Sequence, residues 1–407
     1  MTPRDVIEVI AIMLTAGLAS EAVAAILRLP RMVVLLAAGI VLGPEATDAI
    51  DVPLDSIGVE LLLSLGVSFI LFYGGLNLSF AVLSRVGIAL SLLAVPGVVL
   101  TALLTGTAAA WVFDLPFEAG FLVGAVVAPT DPAILIPLFE RLRVQPKLVQ
   151  TIVAESALND PTGAVLALAT ATFVVEGGAS LATPLVDFVV DIAISTGLGI
   201  AFGVVLAAVL SARRVGIWRE FPAVAVAAVV AASYVSIDFA GGSGYLGAFI
   251  AGLIAGNAGS LRLEADEHHE RDLDRFAGTV TDVVVILVFV ALGANLPLGT
   301  MVDNFAPALA VVAVLLFVAR PLTVLACLLP DRRGGWTRNE LLFLSWTRET
   351  GVVPASVAGL LIARGVRYED EILTVVALAI CVTLLLQATT KRWLAQRLGL
   401  VEPEPPR

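Results

Sequence analysis

Ala128-Pro129-Thr130-Asp131-Pro132-Ala133 stands in the middle of an apolar run that extends from residue 117 to 139. Its two prolines lack backbone donors and block the helical hydrogen bonds around them, and a carboxylate sits between them. At the mid-depth of a membrane, unwound backbone is tolerated only where it lines a cavity inside the protein. The segment therefore reads as a broken transmembrane helix, provided the rest of the chain crosses a bilayer.

It does so by composition. Of the 407 residues, 59% are hydrophobic and only 14% are charged, the reverse of what a water-soluble surface needs. Apolar runs cover approximately residues 6–27, 31–43, 57–76, 86–112, 117–139, 148–175, 184–210, 220–237, 243–257, 278–295, 305–329, 339–363 and 370–390. Most are long enough for a hydrocarbon core of about 30 Å at 1.5 Å per residue. We read an all-α polytopic membrane protein with thirteen transmembrane helices. The first is retained, because Arg4 is offset by Asp5 and Glu8 and gives no positive leader. A net charge of −11 argues against a nucleic-acid partner. Cys327 and Cys381 stand singly in apolar runs and read as small buried hydrophobes. The lipid bilayer is the expected surrounding, and neither a cofactor nor an enzymatic reaction is expected.

With the N-terminus outside, nineteen of the 24 Lys and Arg residues fall in inner loops or the inner tail, Lys391 among them. Arg4, Arg364 and Arg367 fall outside, and Arg320 and Arg348 lie within spans. This is the alternation the positive-inside rule requires, and a miscounted helix would scramble it. The expected location is the cell membrane, with the C-terminus cytoplasmic. The outer acids Glu45, Asp48, Asp51 and Asp55, and the inner segment from Arg262 to Arg275 with His268 and His269, read as solvated.

An ionisable side chain at mid-span is disfavoured by about 3 kcal/mol or more, so each one is a functional candidate. The sixth span holds Glu155-Ser156-Ala157-Leu158-Asn159-Asp160-Pro161. On a helix, Ser156 and Asp160 lie about 40° apart on one face, with Glu155 and Asn159 forming the strip beside it. Two carboxylates in a dry site require a cation or a proton between them. Arg320 is the preferred partner for Glu155, with Arg348 the alternative, which leaves Asp160 to exchange a proton for a cation. In the twelfth span Thr347-Arg348-Glu349-Thr350-Gly351 and Pro354 form a second interruption. Breaks in spans five and twelve are an odd number apart. The pattern predicts two inverted six-helix repeats, spans 1–6 and 8–13 joined by span 7, whose broken helices cross at mid-membrane. Asp131 would then offset positive half-helix ends, and Arg348 or Glu349 would balance the other break.

Thr130-Asp131-Pro132, Glu155-Ser156 with Asn159-Asp160, Phe72-Tyr73-Gly74-Gly75-Leu76 and Ala319-Arg320-Pro321-Leu322 together resemble the cation:proton antiporter family. The likeness is to the branch of NhaP-type antiporters and eukaryotic sodium/proton exchangers, and it covers nearly the whole chain. It implies a homodimer in which residues 1–80 (helices 1–3) and 219–300 (helices 8–10) form an interface domain. Residues 81–180 (helices 4–6) and 301–398 (helices 11–13) would form a core that moves as an elevator, with 181–218 as linker helix 7 and 399–407 as a short cytoplasmic tail. It implies that Asp160 carries the exchangeable proton, and that Na+, K+ or Li+ is held by Asp160, Ser156, the Thr130 carbonyl and Asp131, with Glu155 nearby. Arg320 would be the partner of Glu155. Asn159, where other members have an acid, matches the electroneutral pattern of one proton per cation. The arginine many members carry in the twelfth span aligns with Thr350, two residues after Arg348, and Tyr73 replaces an acid common in the third-span motif.

The expected function is exchange of a monovalent cation, Na+ favoured, for H+. The alternative is an organic-anion carrier on a related fold, whose site would want a free cation or a hydroxyl cluster. A channel would show a filter segment, and an intramembrane protease using Asp131 and Asp160 would not require broken helices.

Overall fold

The computed structural model describes residues 3–27, 29–53, 56–131, 144–176, 182–211, 220–261, 267–332 and 334–401. Regular structure among them is helical, apart from one antiparallel bridge between Val144 and Val401. The first half of the chain supplies α1 (Pro3–Leu27), α2 (Arg31–Leu42), α3 (Ile57–Leu76), α4 (Phe80–Ala94), α5 (Pro96–Val112), α6 (Phe117–Val126), α7 (Pro146–Glu176) and α8 (Ala182–Leu210). The second supplies α9 (Pro222–Phe239), α10 (Gly244–Gly256), α11 (Glu267–Ala294), α12 (Leu298–Val314), α13 (Arg320–Leu328), α14 (Arg338–Trp346), α15 (Val352–Ala363), α16 (Glu369–Val382) and α17 (Ala388–Arg397). Eight continuous helical stretches among the described residues are long and apolar enough to cross a membrane, and α2, α6, α10 and α15 are shorter apolar helices.

Local chemistry sets the boundaries. Ser56, Ser79 and Ser243 cap α3, α4 and α10 with side-chain oxygens, and Thr337 with Glu340 forms a capping box at α14. Pro96 and Pro222 begin α5 and α9, where a missing N–H removes no helical bond. The fourth apolar run starts earlier than its sequence limit, at Phe80, because Ser79 caps it there, and it is interrupted at Val95. α12 leads into α13 through a π-helical turn at Leu315–Ala319, and α16 leads into α17 through another at Thr383–Gln387. α11 begins at Glu267, so the charged inner segment is partly a prolongation of the tenth span. Glu45, Asp48 and Asp51 are exposed. Pro132 with the second half of the fifth span, Asp55 and Arg262 lie outside the described residues.

Two groups of helices pack largely separately and meet at the site. α1, α2, α3, α9, α10 and α11 pack on one another, as do α4, α5, α6, α7, α12, α13 and α16; α7, α15 and α16 touch members of both groups. Glycine brings α3 and α10 into backbone contact. A Cβ at Gly75 would meet the Phe249 carbonyl, and one at Gly252 or Gly256 would meet the carbonyl of Phe72 or Leu76. The third-span motif therefore serves helix packing. Beyond it, Asn257 donates to the Leu78 carbonyl and accepts from the Phe80 N–H, both at 2.8 Å, and so pins the link from α3 to α4.

Gly256→Val is expected to destabilise the protein by about 1–3 kcal/mol, measured as a lower melting temperature in detergent. Gly74→Val, with open space at its Cβ, should lower it far less.

Candidate functional site

Helix α6 stops at Val126, and Ala128 to Asp131 run without helical structure. α14 stops at Trp346, and α15 resumes only at Val352. The two breaks lie against each other. The Asp131 N–H donates to the Glu349 carbonyl at 2.9 Å. The Val352 N–H, in the first turn of α15, donates to Asp131 Oδ2 at 3.3 Å. In the opposite sense, Arg348 Nη2 donates to the Val127 and Ala128 carbonyls at 2.6 and 2.9 Å, at the C-terminal end of α6. An anion thus meets the positive end of one half-helix and a cation meets the negative end of the other. Gly351 permits this approach, because a Cβ there would strike the Asp131 carboxylate.

The last span holds the second break from behind. The Arg348 N–H donates to Gln387 Oε1 and the Thr350 N–H to Thr383 Oγ1, both at 3.0 Å. Lys391 forms an ion pair with Glu349, with both side chains almost wholly buried. Glu349 therefore does not balance a helix end; it is taken by a cation that sequence analysis places in the cytoplasmic tail. Lys391 lies further inside because the π-helical turn and α17 carry the thirteenth span beyond its apolar limit at residue 390. Thr383, Gln387 and Lys391 recur every fourth residue, a one-face pattern that could have been read from the sequence.

α7 supplies the other wall. Arg320 makes a two-pronged ion pair with Glu155, Nη2 to Oε2 at 3.0 Å, and its Nε donates to the Leu344 carbonyl at 3.0 Å. Arg320, not Arg348, is thus the partner of Glu155. Asn159 Oδ1 accepts from the Thr130 N–H at 3.1 Å, which fixes the amide so that Nδ2 donates to Thr130 Oγ1 at 2.8 Å. Ser156 Oγ donates to the Thr130 carbonyl, so its 2.8 Å contact with Thr130 Oγ1 takes the threonine proton. Both hydroxyl hydrogens and one amide hydrogen of Asn159 are thus spent within the triad, while the Thr130 carbonyl and Ser156 Oγ each retain a lone pair.

Asp160 is half-buried one residue on, and its Oδ1 is enclosed without a protein hydrogen-bond partner among the described residues. Asp131 is the charged group that acts on it. Pro161 follows inside α7 and deprives the Ala157 carbonyl of its helical donor. Thr130, Ser156 and Asn159 are thus joined by hydrogen bonds, with Asp131 and Asp160 beside them and Glu155 set apart by Arg320. Carboxylate, hydroxyl and carbonyl oxygens, all hard donors, suit an alkali cation or a proton.

The model of the family described as sodium/hydrogen exchanger, transmembrane, matches residues 10–397. The K(+)/H(+) antiporter NhaP of Alkalimonas amylolytica is 30% identical over 373 residues, 90% of this chain and 62% of its own length. The chain thus spans less than two thirds of that relative. Na(+)/H(+) antiporter 1 of Methanocaldococcus jannaschii is 30% identical over 82% of this chain and 77% of its own. The solved structure of the sodium proton antiporter MjNhaP1 from that organism superposes with a TM-score of 0.79 at 28% identity, covering 97% of this chain and 99% of the other.

Glu155→Gln leaves Arg320 buried without its counter-charge and is expected to destabilise the fold by about 3–5 kcal/mol. Thermal unfolding in detergent measures this, and Glu155→Met combined with Arg320→Met should recover most of the loss.

Proposed function

Because the chain belongs to the sodium/hydrogen exchanger family, we propose that it is a secondary antiporter that exchanges a monovalent cation for H+ at Asp160. The observation that carries this reading is the enclosed Asp160 oxygen, without a protein partner, beside a triad whose free lone pairs are all oxygen. A proton or a cation can complete that carboxylate, but not both, so the two compete. Na+ is the cation we assign, held by Asp160, Ser156, the Thr130 carbonyl and Asp131; K+ is the runner-up, named for the Alkalimonas relative. One competing site gives electroneutral exchange, one proton per cation.

The rest of the proposal follows the packing. Thirteen spans in two inverted repeats, N-terminus outside and C-terminus in the cytoplasm of the cell, place α1–α3 and α9–α11 in a static domain through which two copies pair. α4–α7 and α12–α17 form the core that carries the site across as an elevator, with α8 as linker. Two helix groups that pack largely separately and meet at α7, α15 and α16 support this division. An organic-anion carrier is disfavoured because Arg320, Arg348 and Lys391 are each engaged by carboxylates or carbonyls of the protein.

In proteoliposomes with an imposed pH gradient and clamped voltage, addition of Na+ or K+ should collapse the gradient for the wild type and not for Asp160→Asn. Robust exchange by folded Asp160→Asn would refute the assignment. The apparent KM for the cation should rise as pH falls, because protons compete for the same carboxylate. Asn159→Ala should weaken cation affinity, through the loss of its grip on Thr130, while the one-to-one ratio persists.

A further inference from the structure

From Ile372 to Val401 the chain contains no acid and three cations, Lys391, Arg392 and Arg397. The structure sends them in different directions. Lys391 is enclosed against Glu349, whereas Arg392, Trp393 and Arg397 are exposed on α17. The exposed residues change character along the chain, from Leu385 and Leu386 through Trp393, 59% exposed, to Arg397. Apolar, aromatic, cationic is the order in which a segment leaves hydrocarbon through the headgroup layer. The helix also leaves the line of its span, because Thr390–Arg397 is inclined by 48° to Glu369–Gln387. Such a bend turns its side toward the membrane surface.

The Arg397 guanidinium lies 5.3 Å from the centre of the Trp393 ring. Stacking restrains a long side chain and leaves its N–H fork for a phosphate. Neither Arg392 nor Arg397 has an ion-pair partner among the described residues. Asn339, next to exposed Arg338, donates to the Leu398 carbonyl at 3.0 Å and brings a further cation to the end of the helix. The enclosed side of the same segment faces the second break. Thr383 and Gln387 take the amides of Thr350 and Arg348, and Lys391 takes the Glu349 side chain.

Resting on the antiport reading and the cytoplasmic C-terminus above, we propose that Arg392 and Arg397, with Trp393 between them, bind the phosphate headgroups of anionic phospholipids in the inner leaflet, and that the bound lipid steadies the second break through α17. Anionic headgroups complement this acid-free patch, and zwitterionic ones carry no net charge to do so. The link to the site is short. The Glu349 carbonyl accepts from the Asp131 N–H, so a helix that holds Glu349 and the amides beside it also holds Asp131 in place. Lipid composition thereby tunes exchange without contact with the transported ion.

The probe is phosphatidylglycerol, compared with phosphatidylcholine. It is applied to wild type, to Arg392→Gln combined with Arg397→Gln, and to Arg275→Gln, which removes an exposed cation from α11 in the other helix group. In detergent, phosphatidylglycerol should raise the melting temperature of wild type and Arg275→Gln, and the double variant should need about tenfold more lipid for the same rise. In voltage-clamped proteoliposomes under an equal pH gradient, wild type and Arg275→Gln should exchange several-fold faster with phosphatidylglycerol than with phosphatidylcholine alone. Anionic lipid concentrates cations at any surface, so the deciding quantity is the ratio of the two rates, which should fall in the double variant only. A wild-type lipid response of the double variant in either measurement overturns the proposal. Equal stabilisation of the wild type by inorganic phosphate overturns it too, since the patch would then bind free anions. Should the double variant not fold, Arg397→Gln alone is read by the same criteria. If the wild type exchanges no cation in either lipid, the antiport reading fails instead, and the melting shift alone decides the lipid site.

Discussion

A helix interrupted inside a membrane has four free carbonyls at one cut and four free N–H groups at the other, and lipid offers neither a partner. Here the two interrupted helices satisfy each other. Arg348 reaches from one break to the carbonyls of Val127 and Ala128, and Asp131 reaches from the other to the N–H of Val352. Much of the surrounding structure is a condition for that exchange. Gly351 has no side chain to keep the breaks apart, and Gln387 and Thr383 hold the amides of Arg348 and Thr350 so that the arginine points the right way.

Asn159 is the best example of how this scaffold becomes a site. Its amide reads the N–H and the hydroxyl of Thr130 at once, and the order of donors that follows turns both hydroxyl hydrogens away from the free lone pairs. A carboxylate one residue along the same helix, Asp160, keeps an enclosed oxygen without a protein hydrogen-bond partner among the described residues. The carboxylate and the amide are neighbours in sequence, yet the amide is taken up by Thr130 while the carboxylate oxygen is not.

Much of this was legible in the residues themselves. Two prolines around Asp131, and a glycine and proline after Arg348, marked the breaks, since proline removes a helical donor and crowds the turn before it. The rarity of charge in the spans left only Arg320 and Arg348 as partners for Glu155, with Arg320 preferred. Lys391 was missed because a positive residue after an apolar run ordinarily reads as a cytoplasmic anchor. Only the prolongation of the helix beyond residue 390 turns it inward. The Thr130 triad was legible as a cluster of polar residues, but its hydrogen-bond order depends on a break geometry that spacing does not specify. The third-span motif reads as a family signature in sequence, while the physical role of its Gly75 is backbone contact with α10.

The π-helical turns at Leu315–Ala319 and Thr383–Gln387 each accommodate one residue more than a regular helix would. One ends just before Arg320, and the other contains Thr383 and Gln387 and precedes Lys391 by one turn. A π-helical turn absorbs its extra residue locally, but loss of a residue from the regular helix outside the turn would rotate everything after it by about 100°, carrying Arg320 away from Glu155 or Lys391 away from Glu349. Over evolutionary time these spans can therefore exchange side chains far more freely than they can gain or lose a residue, and their length is as much a part of the site as its carboxylates.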